Sequence, residues 1–280
     1  MNMLASTIAA DYERDGYVFP VDILTEAEAQ EIRADLEAAE AQFADDRKKL
    51  GMVRGFPAAL LPSYAALVRH PKMIAAAQAV LGPDVMVWGS GHFIKEANTE
   101  SYVSWHQDLT YWGLDKVEEV TLWVALSPAT RESGCMRFVP GTHKTDIVPH
   151  SDTFASGNLL SRGQELAVEV DDSKGVDVVL KPGQASVHHG HLFHASGPNS
   201  TDDRRIGAAI RYIAPSMKAR SGPETQVQLV AGTDRYGHFT IVPPPTERLA
   251  EADFASVERD MINRERILYE GAEKDGHKRS

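Results

Sequence analysis

The 280-residue chain has a single cysteine, Cys135, and only 29 basic residues against 40 acidic ones. One thiol forms no internal disulfide, so nothing points to a secreted, disulfide-built scaffold. Flanked by Gly134 and Met136, Cys135 reads as a small buried hydrophobe. A formal net charge of −11 is the opposite of the basic footprint that nucleic acid requires, so no nucleic-acid partner is expected. Long apolar runs are also missing. None approaches the roughly 20 residues that span a bilayer, so no membrane partner is expected. The opening, MNMLASTIAADYERDGY, lacks a basic n-region and an extended apolar core, so no signal peptide is expected and a cytoplasmic location is the default. The sequence shows no internal repeat and no low-complexity linker, and residues 1–280 are read as a single domain.

What is present divides into three regions. Residues 25–46, TEAEAQEIRADLEAAEAQFADD, read as an amphipathic helix opened by Thr25 as N-cap with Glu28 three places on. A second helical stretch, residues 64–82, restarts at Pro71 and stops at Gly82. From residue 85 onward, short β-prone runs alternate with Gly, Pro, Asp and Ser: VMVWGSGHFIKE, VEEVTLWVAL, CMRFVPG, LAVEV, VDVVL, QASVHHG and RIGAAIRYIA. So many short strands with turn signals predict a sandwich or barrel, a group that includes jelly rolls. The tail, residues 247–271, returns to helical periodicity.

Within the β-prone region SYVSWHQDLTYWGL places His106 two residues before Asp108. On a strand, i and i+2 project from one face, so both side chains can reach one ion. A second such pair, His150 and Asp152, lies in a polar stretch read as loop, with no strand to hold its side chains. A third ligand must come from elsewhere, and residues 187–205 offer His188, His189, His191 and His194. Two histidines and a carboxylate form the facial arrangement of non-haem Fe(II) oxygenases. Spacing alone also suits hydrogen-bonded surface histidines or a loose metal patch. A metal-binding jelly roll acting as a ligand sensor, or a cupin-like dioxygenase or isomerase, fits the same residues.

WHQD, then GCMRFVPGTHK, then HASGPNSTDDRR, together with YERDGYVFPVDILTEAEAQEIRADLE near the start, resemble the phytanoyl-CoA dioxygenase family of Fe(II)/2-oxoglutarate oxygenases. The similarity covers roughly residues 10–215, leaving a C-terminal loop and helix over 216–280. The resemblance implies a double-stranded β-helix core with helices outside, Fe(II) as metal, 2-oxoglutarate as cosubstrate, and O2 and a small organic molecule as the other reactants. His106, Asp108 and His194 match the family's metal ligands. Arg205, eleven residues after His194, matches its 2-oxoglutarate arginine, with Ser196 and Trp123 lining the same pocket. Lys95 resembles a lysine common before the H-x-D, although KEANTE replaces the usual proline-glycine continuation. Arg205 suits the role physically, because its planar fork of donors and permanent charge fit a carboxylate. Arg204, one place away on a strand, faces the other side and reads as a surface charge.

His188, His189 and His191 are expected to support the strand and the ligands. Tyr102, Trp105, Tyr111 and Trp112 are core or pocket wall, with Tyr102 and Trp112 the candidates for substrate contact. Residues 229–245 mix Tyr236, His238 and Phe239 between glycines, which suits either a loop that covers a site or a segment whose Tyr236 and Phe239 anchor the C-terminal helix. On the first reading Tyr236 and His238 are further substrate candidates. Related halogenases have glycine or alanine where this chain has Asp108, so the resemblance implies hydroxylation or a kindred oxidation, and no chlorination.

Overall fold

The computed structural model describes residues 3–220, 222 and 224–268. Its first third is helical apart from one strand. Helix α1 (Met3–Asp15) leads into β1 (Tyr17–Asp22), and α2 (Glu26–Gln42), α3 (Arg47–Gly55), α4 (Pro57–Leu60), α5 (Pro62–Leu67) and α6 (Pro71–Leu81) follow. The capping box at α2 is present: Glu28 N donates to Thr25 Oγ1 (3.2 Å) and Thr25 N to the Glu28 carboxylate (2.7 Å). The helix ends at Gln42 rather than running to 46, because Asp46 accepts from Lys49 N and caps α3. Pro71 separates α5 from α6 as expected, with His70 as N-cap, and Gly82 (φ 87°) ends α6.

The strands are β2 (Val85–Lys95), β3 (Val103–His106), β4 (Glu119–Ala125), β5 (Met136–Phe138), β6 (His150–Asp152), β7 (Gln164–Leu166), β8 (Val176–Val178), β9 (Gln184–His188), β10 (His194–Ser196), β11 (Arg205–Ile213), β12 (Gln226–Ala231) and β13 (Thr240–Ile241), closed by α7 (Glu251–Leu268). The expected LAVEV strand is reduced to Leu166, the last residue of β7. His150 and Asp152, expected in a loop, form β6, which pairs with β7. The last residues of the expected tail helix, 269–271, lie outside the described residues.

A large sheet in the order β1-β9-β4-β11-β2-β12-β13 faces a smaller one, β3-β10-β5-β8. This is the jelly-roll core. In the large sheet, β4 and β11 are central and buried on both faces, which explains their nearly continuous apolar sequences. Val120, Leu122 and Val124 of β4, with Ile206, Ala208, Ile210 and Tyr212 of β11, pack on one side against Leu36, Leu60, Tyr64 and Met73 of the helices. The alternate residues Trp123, Ala125 and Ala209 pack on the other side against Met136, Phe138 and Val178 of the small sheet. That division of faces decides which side chains of β4 and β11 can reach a site between the sheets. Helix α7 packs across α3 and α4 on the helical layer. Among the described residues, no helix is long and apolar enough to cross a membrane.

Candidate metal centre

His106 is the last residue of β3 and His194 the first of β10, and the two are register partners in an antiparallel pair. Directly opposed residues point to one face, so the imidazoles lie side by side with ring centroids 4.0 Å apart. Asp108 is not on the strand. Ladder pairing stops at His106, and the chain turns into a 3-10 segment, Asp108–Thr110, that swings the carboxylate back. Fully buried Gln107 pins this turn: its amide donates to His191 O (3.0 Å), and its carbonyl oxygen accepts from Val148 N (2.9 Å). The Asp108 carboxylate ends 3.3 Å from His106 Nε2 and 3.9 Å from His194 Nε2.

The tautomers follow from the backbone. His106 Nδ1 lies 2.9 Å from Ser104 O and His194 Nδ1 2.8 Å from Leu192 O, so each Nδ1–H donates and each Nε2 lone pair faces the carboxylate. His106 Nε2 is buried without a hydrogen-bond partner, and one ligand atom from each of the three residues lies within 4.8 Å of the others. Burial alone would raise the Asp108 pKa. The close approach of His106, then of His194 and Arg211, outweighs it and holds the carboxyl well below its usual range. Burial and then His106 lower His194 to about 4, leaving it a neutral ligand at physiological pH.

The large sheet supplies the opposite wall. Arg205 pairs in register with Lys95 across β11 and β2, so both side chains face inward. Arg205 is 1% exposed, and its Nε and Nη2 are buried without partners. Its guanidinium lies 5.3 Å over the Trp123 ring. Lys95 Nζ donates to Ser196 Oγ (2.7 Å) and to Gly197 O. Burial, then the charge of Arg205, lowers Lys95 to about 6. A buried guanidinium and a buried amine without an acid between them make a hole for an anion. His106, Asp108, His194, Trp123, Ser196, Arg205 and Arg211 all line one small cavity of about 30 Å3. Asp202 does not pair with Arg205; it accepts from Asn98 (3.0 Å). Arg204 does face the other way, though as more than a surface charge: it binds Glu40 (2.8 Å) and Glu96 (2.7 Å).

A larger cavity of about 990 Å3 opens onto His106, Asp108 and Arg211, between Trp88, Tyr111, Trp112, α3 and α7. Trp112 is therefore where a substrate contact would be. The other substrate candidates are not brought there. Tyr102 packs against Gly157, whose carbonyl accepts from Tyr102 N (2.9 Å). Tyr236 is 56% exposed, and His238 Nδ1 binds Met217 O (3.0 Å). Their segment is held to the start of β2, where Asp84 binds Thr233 N (2.8 Å) and Arg235 (2.7 Å), and Phe239 is buried beside Met86 and Ile213. Residues 229–245 line neither cavity, and the covering-loop expectation is corrected accordingly.

The remaining histidines separate by face. His188 lines the smaller cavity, 5.3 Å from the His194 ring. His189 packs on Tyr12 and His143 outside it, and its Nδ1 accepts from His191 N (2.9 Å). The second H-x-D pair has structural work: His150 Nε2 accepts from Gln107 N (3.1 Å), and Asp152 binds Arg162 (3.0 Å). Trp105 packs beside Val139, Leu166 and Phe193. Cys135 is buried, as its sequence context implied. Sequence reasoning missed Gln107, Glu119 and Arg211. Glu119 is buried beneath the site, accepts from Gly190 N, and is pushed well above the usual carboxyl range by burial.

A jelly roll with two imidazoles, one carboxylate and a buried anion hole defines a metal-dependent oxygenase scaffold. Residues 12–207 match the family described as phytanoyl-CoA dioxygenase, and the chain belongs to that family. An apo structure of the non-heme monooxygenase ThoJ is 33% identical, with a TM-score of 0.85, covering 94% of this chain and 98% of that one. Human peroxisomal phytanoyl-CoA dioxygenase is 22% identical over 72% of this chain. L-proline trans-4-hydroxylase of Streptomyces griseoviridis is 28% identical over 53% of this chain. The chain spans 66% of the human protein and 62% of the Streptomyces protein. The family is Fe(II)- and 2-oxoglutarate-dependent, and the donor set found here fits both groups: two imidazole nitrogens and a carboxylate for the metal, unpartnered guanidinium nitrogens for the dicarboxylate.

Proposed function

We propose that this chain hydroxylates an unactivated C–H bond of a small organic substrate, using O2 and 2-oxoglutarate and releasing succinate and CO2. The observation that carries this is Asp108 set between two imidazoles opposite a buried arginine with unpartnered nitrogens. His106, Asp108 and His194 would hold Fe(II). Arg205 would take the far carboxylate of 2-oxoglutarate in a forked contact, with Lys95, Ser196 and Trp123 closing the pocket around it. When bound, iron and cosubstrate supply an oxidant able to convert C–H to C–OH. The protein orients the reactants and keeps the site dry.

Lys95 gains a role from its depressed pKa. An arriving dicarboxylate favours its protonated form, so the lysine takes up a proton with the ligand and releases it afterwards. The Asp108 carboxylate occupies the position through which a halide would enter, which favours hydroxylation over chlorination. The relatives named for monooxygenation and for proline hydroxylation support oxygen insertion. We treat the whole of residues 1–280 as one catalytic unit acting in the cytoplasm, with no nucleic-acid or membrane partner. A cupin-like dioxygenase or isomerase working without 2-oxoglutarate leaves the Arg205 hole without a purpose, and a ligand sensor releases no succinate. A substrate-library screen for succinate, followed by mass spectrometry of the product formed under 18O2, tests the proposal. One labelled oxygen in the product is expected. A chlorine isotope pattern in chloride buffer would refute the role given to Asp108.

A further inference from the structure

The large cavity above the iron ligands contains three arginines, and two of them are already engaged. Arg54 binds Glu40 (2.6 Å). Arg264 binds Asp260 (2.6 Å) and the carbonyls of Trp88 and Gln226 (both 2.8 Å). Arg211 is different. Its Nε is buried with no hydrogen-bond partner, and its guanidinium lies 5.1 Å over the Trp112 ring. The carboxylates nearest to it in charge are Asp108 and Glu119. Asp108 is turned to the two imidazoles, and Glu119 accepts from Gly190 N while burial favours its neutral form. Neither takes up the donors of Arg211.

Position on the strand explains why this guanidinium is available. Arg211 lies six residues after Arg205 on β11, about 20 Å along the strand and on the same inward face. Its register partner on β2 is Gly89, which has no side chain to cover it. Arg205 lines only the inner cavity, whereas Arg211 lines both. Around it runs a layered wall. Trp112 stacks on Trp88 (4.9 Å, 21°), and Arg264 lies 4.5 Å over the Trp88 ring. The Trp88 indole Nε1 is a second buried donor without a partner in the same cavity. An apolar, flat wall with two orphaned donors beside the reacting position has the chemistry of a site for one anionic group on an otherwise apolar molecule.

We infer that Arg211 is the specificity residue for the primary substrate, and that this substrate carries a carboxylate which Arg211 binds while its apolar or planar body lies against Trp88 and Trp112. The inference rests on the hydroxylase reading for the identity of the reaction, but its test is a binding measurement that stands apart from turnover. Indole-3-acetic acid, 3-phenylpropanoic acid and octanoic acid, each beside its primary amide, are titrated by calorimetry into the metal-free protein and into the anaerobic Fe(II)/2-oxoglutarate-loaded protein. At least one acid is expected to bind, about tenfold to a hundredfold more tightly than its amide, the factor a charge-assisted hydrogen-bond pair contributes. R211Q is expected to lose that factor for the acid and leave the amide unchanged. R211K recovers part of it. 2-Oxoglutarate affinity is measured in the same variants and remains at the wild-type level.

Equal binding of acids and amides overturns the inference, as does failure of every acid to bind. Loss of 2-oxoglutarate affinity in R211Q also overturns it, because Arg211 would then serve the cosubstrate. If the wild-type protein takes up no iron or releases no succinate, the hydroxylase reading fails, while the acid-over-amide preference of the metal-free protein is still decided.

Discussion

Replacing Gly207 with alanine should damage both stability and cosubstrate binding through one contact. Gly207 sits on the inward face of β11, and a Cβ built there falls 1.7 Å from Trp123 Cζ2 and 2.1 Å from Cε2. Carbon atoms pack at about 3.5–4.0 Å, so the indole must retreat by about 2 Å. It has little room to do so, because Trp123 is 2% exposed and packed among Ala125, Phe138 and Ala209. Overpacking of this kind costs about 1–3 kcal/mol, and relief of glycine's backbone entropy returns about 0.5–1 kcal/mol. The net loss is about 1–2 kcal/mol, or about 2–8 °C in Tm for a chain of this size. The displaced indole also leaves its place under the Arg205 guanidinium, so the KM for 2-oxoglutarate should rise together with the fall in Tm. Gly51 in α3 is the control: nothing lies within 4 Å of an added Cβ, and G51A should stabilise by about 0.5–1 kcal/mol. Thermal melts of both variants, with 2-oxoglutarate titrations, measure the effects. A G207A protein as stable as wild type, with unchanged KM, would refute the packing account.

Arg205→Lys keeps a charge but loses the fork, so KM for 2-oxoglutarate should rise about tenfold or more with Fe(II) stoichiometry intact; an unchanged KM would transfer the role to Lys95 or Arg211. His106→Ala and His194→Ala should abolish Fe(II) uptake measured by metal analysis, whereas His150→Ala should retain it and lose about 1 kcal/mol of stability with the Gln107 hydrogen bond. Burial lowers His92 to about 4 and His189 to about 3, from 6.5 when unfolded. The unfolded chain therefore takes up protons first as pH falls, and metal-free stability should drop between pH 6.5 and about 4 by up to about 1.4 kcal/mol per pH unit for each histidine. Urea unfolding at pH 7 and pH 5 measures it, and a pH-independent midpoint would sink the assignment.

The sequence made the long central strands legible because burial on both faces forces near-continuous apolar runs, as in β4 and β11. Strands of two or three residues, such as β6, β10 and β13, have too few positions to show any period. The two H-x-D pairs show the limit well. Both sit at strands, and only the pairing of His106 with His194 across β3 and β10 separates them, a long-range contact that local spacing does not contain. Gln107 and Glu119 were illegible for the same reason, since their partners come from loops 40 to 85 residues away. Arg211 was within reach. Once Arg205 faces inward on a strand, every second residue does, and a charged residue six places on belongs to the same wall. Tyr236 and His238 misled because aromatic composition between glycines says nothing about which end of β2 the segment is tied to.

Strand β11 explains why fold and chemistry cannot be separated here. Its outward residues Ile206, Ala208, Ile210 and Tyr212 seal the sheet against the helices, and Tyr212 OH donates to Val68 O (2.9 Å). Its inward residues run Arg205, Gly207, Ala209, Arg211: a charge at each end and small residues between. The small residues leave the trough in which Trp123 lies, opposite the iron ligands of the other sheet. The two arginines then divide the site lengthwise, one buried beneath the inner cavity and one at the mouth of the outer cavity. A buried guanidinium is costly unless a partner arrives, and in the proposed roles each end of the strand receives an anion. Flanked by β4 and β2 over its whole length, β11 holds both charges at a set distance from His106, Asp108 and His194. On the proposed reading, the separation between cosubstrate and substrate anions is a property of one strand, and a register shift in β11 would disable both at once.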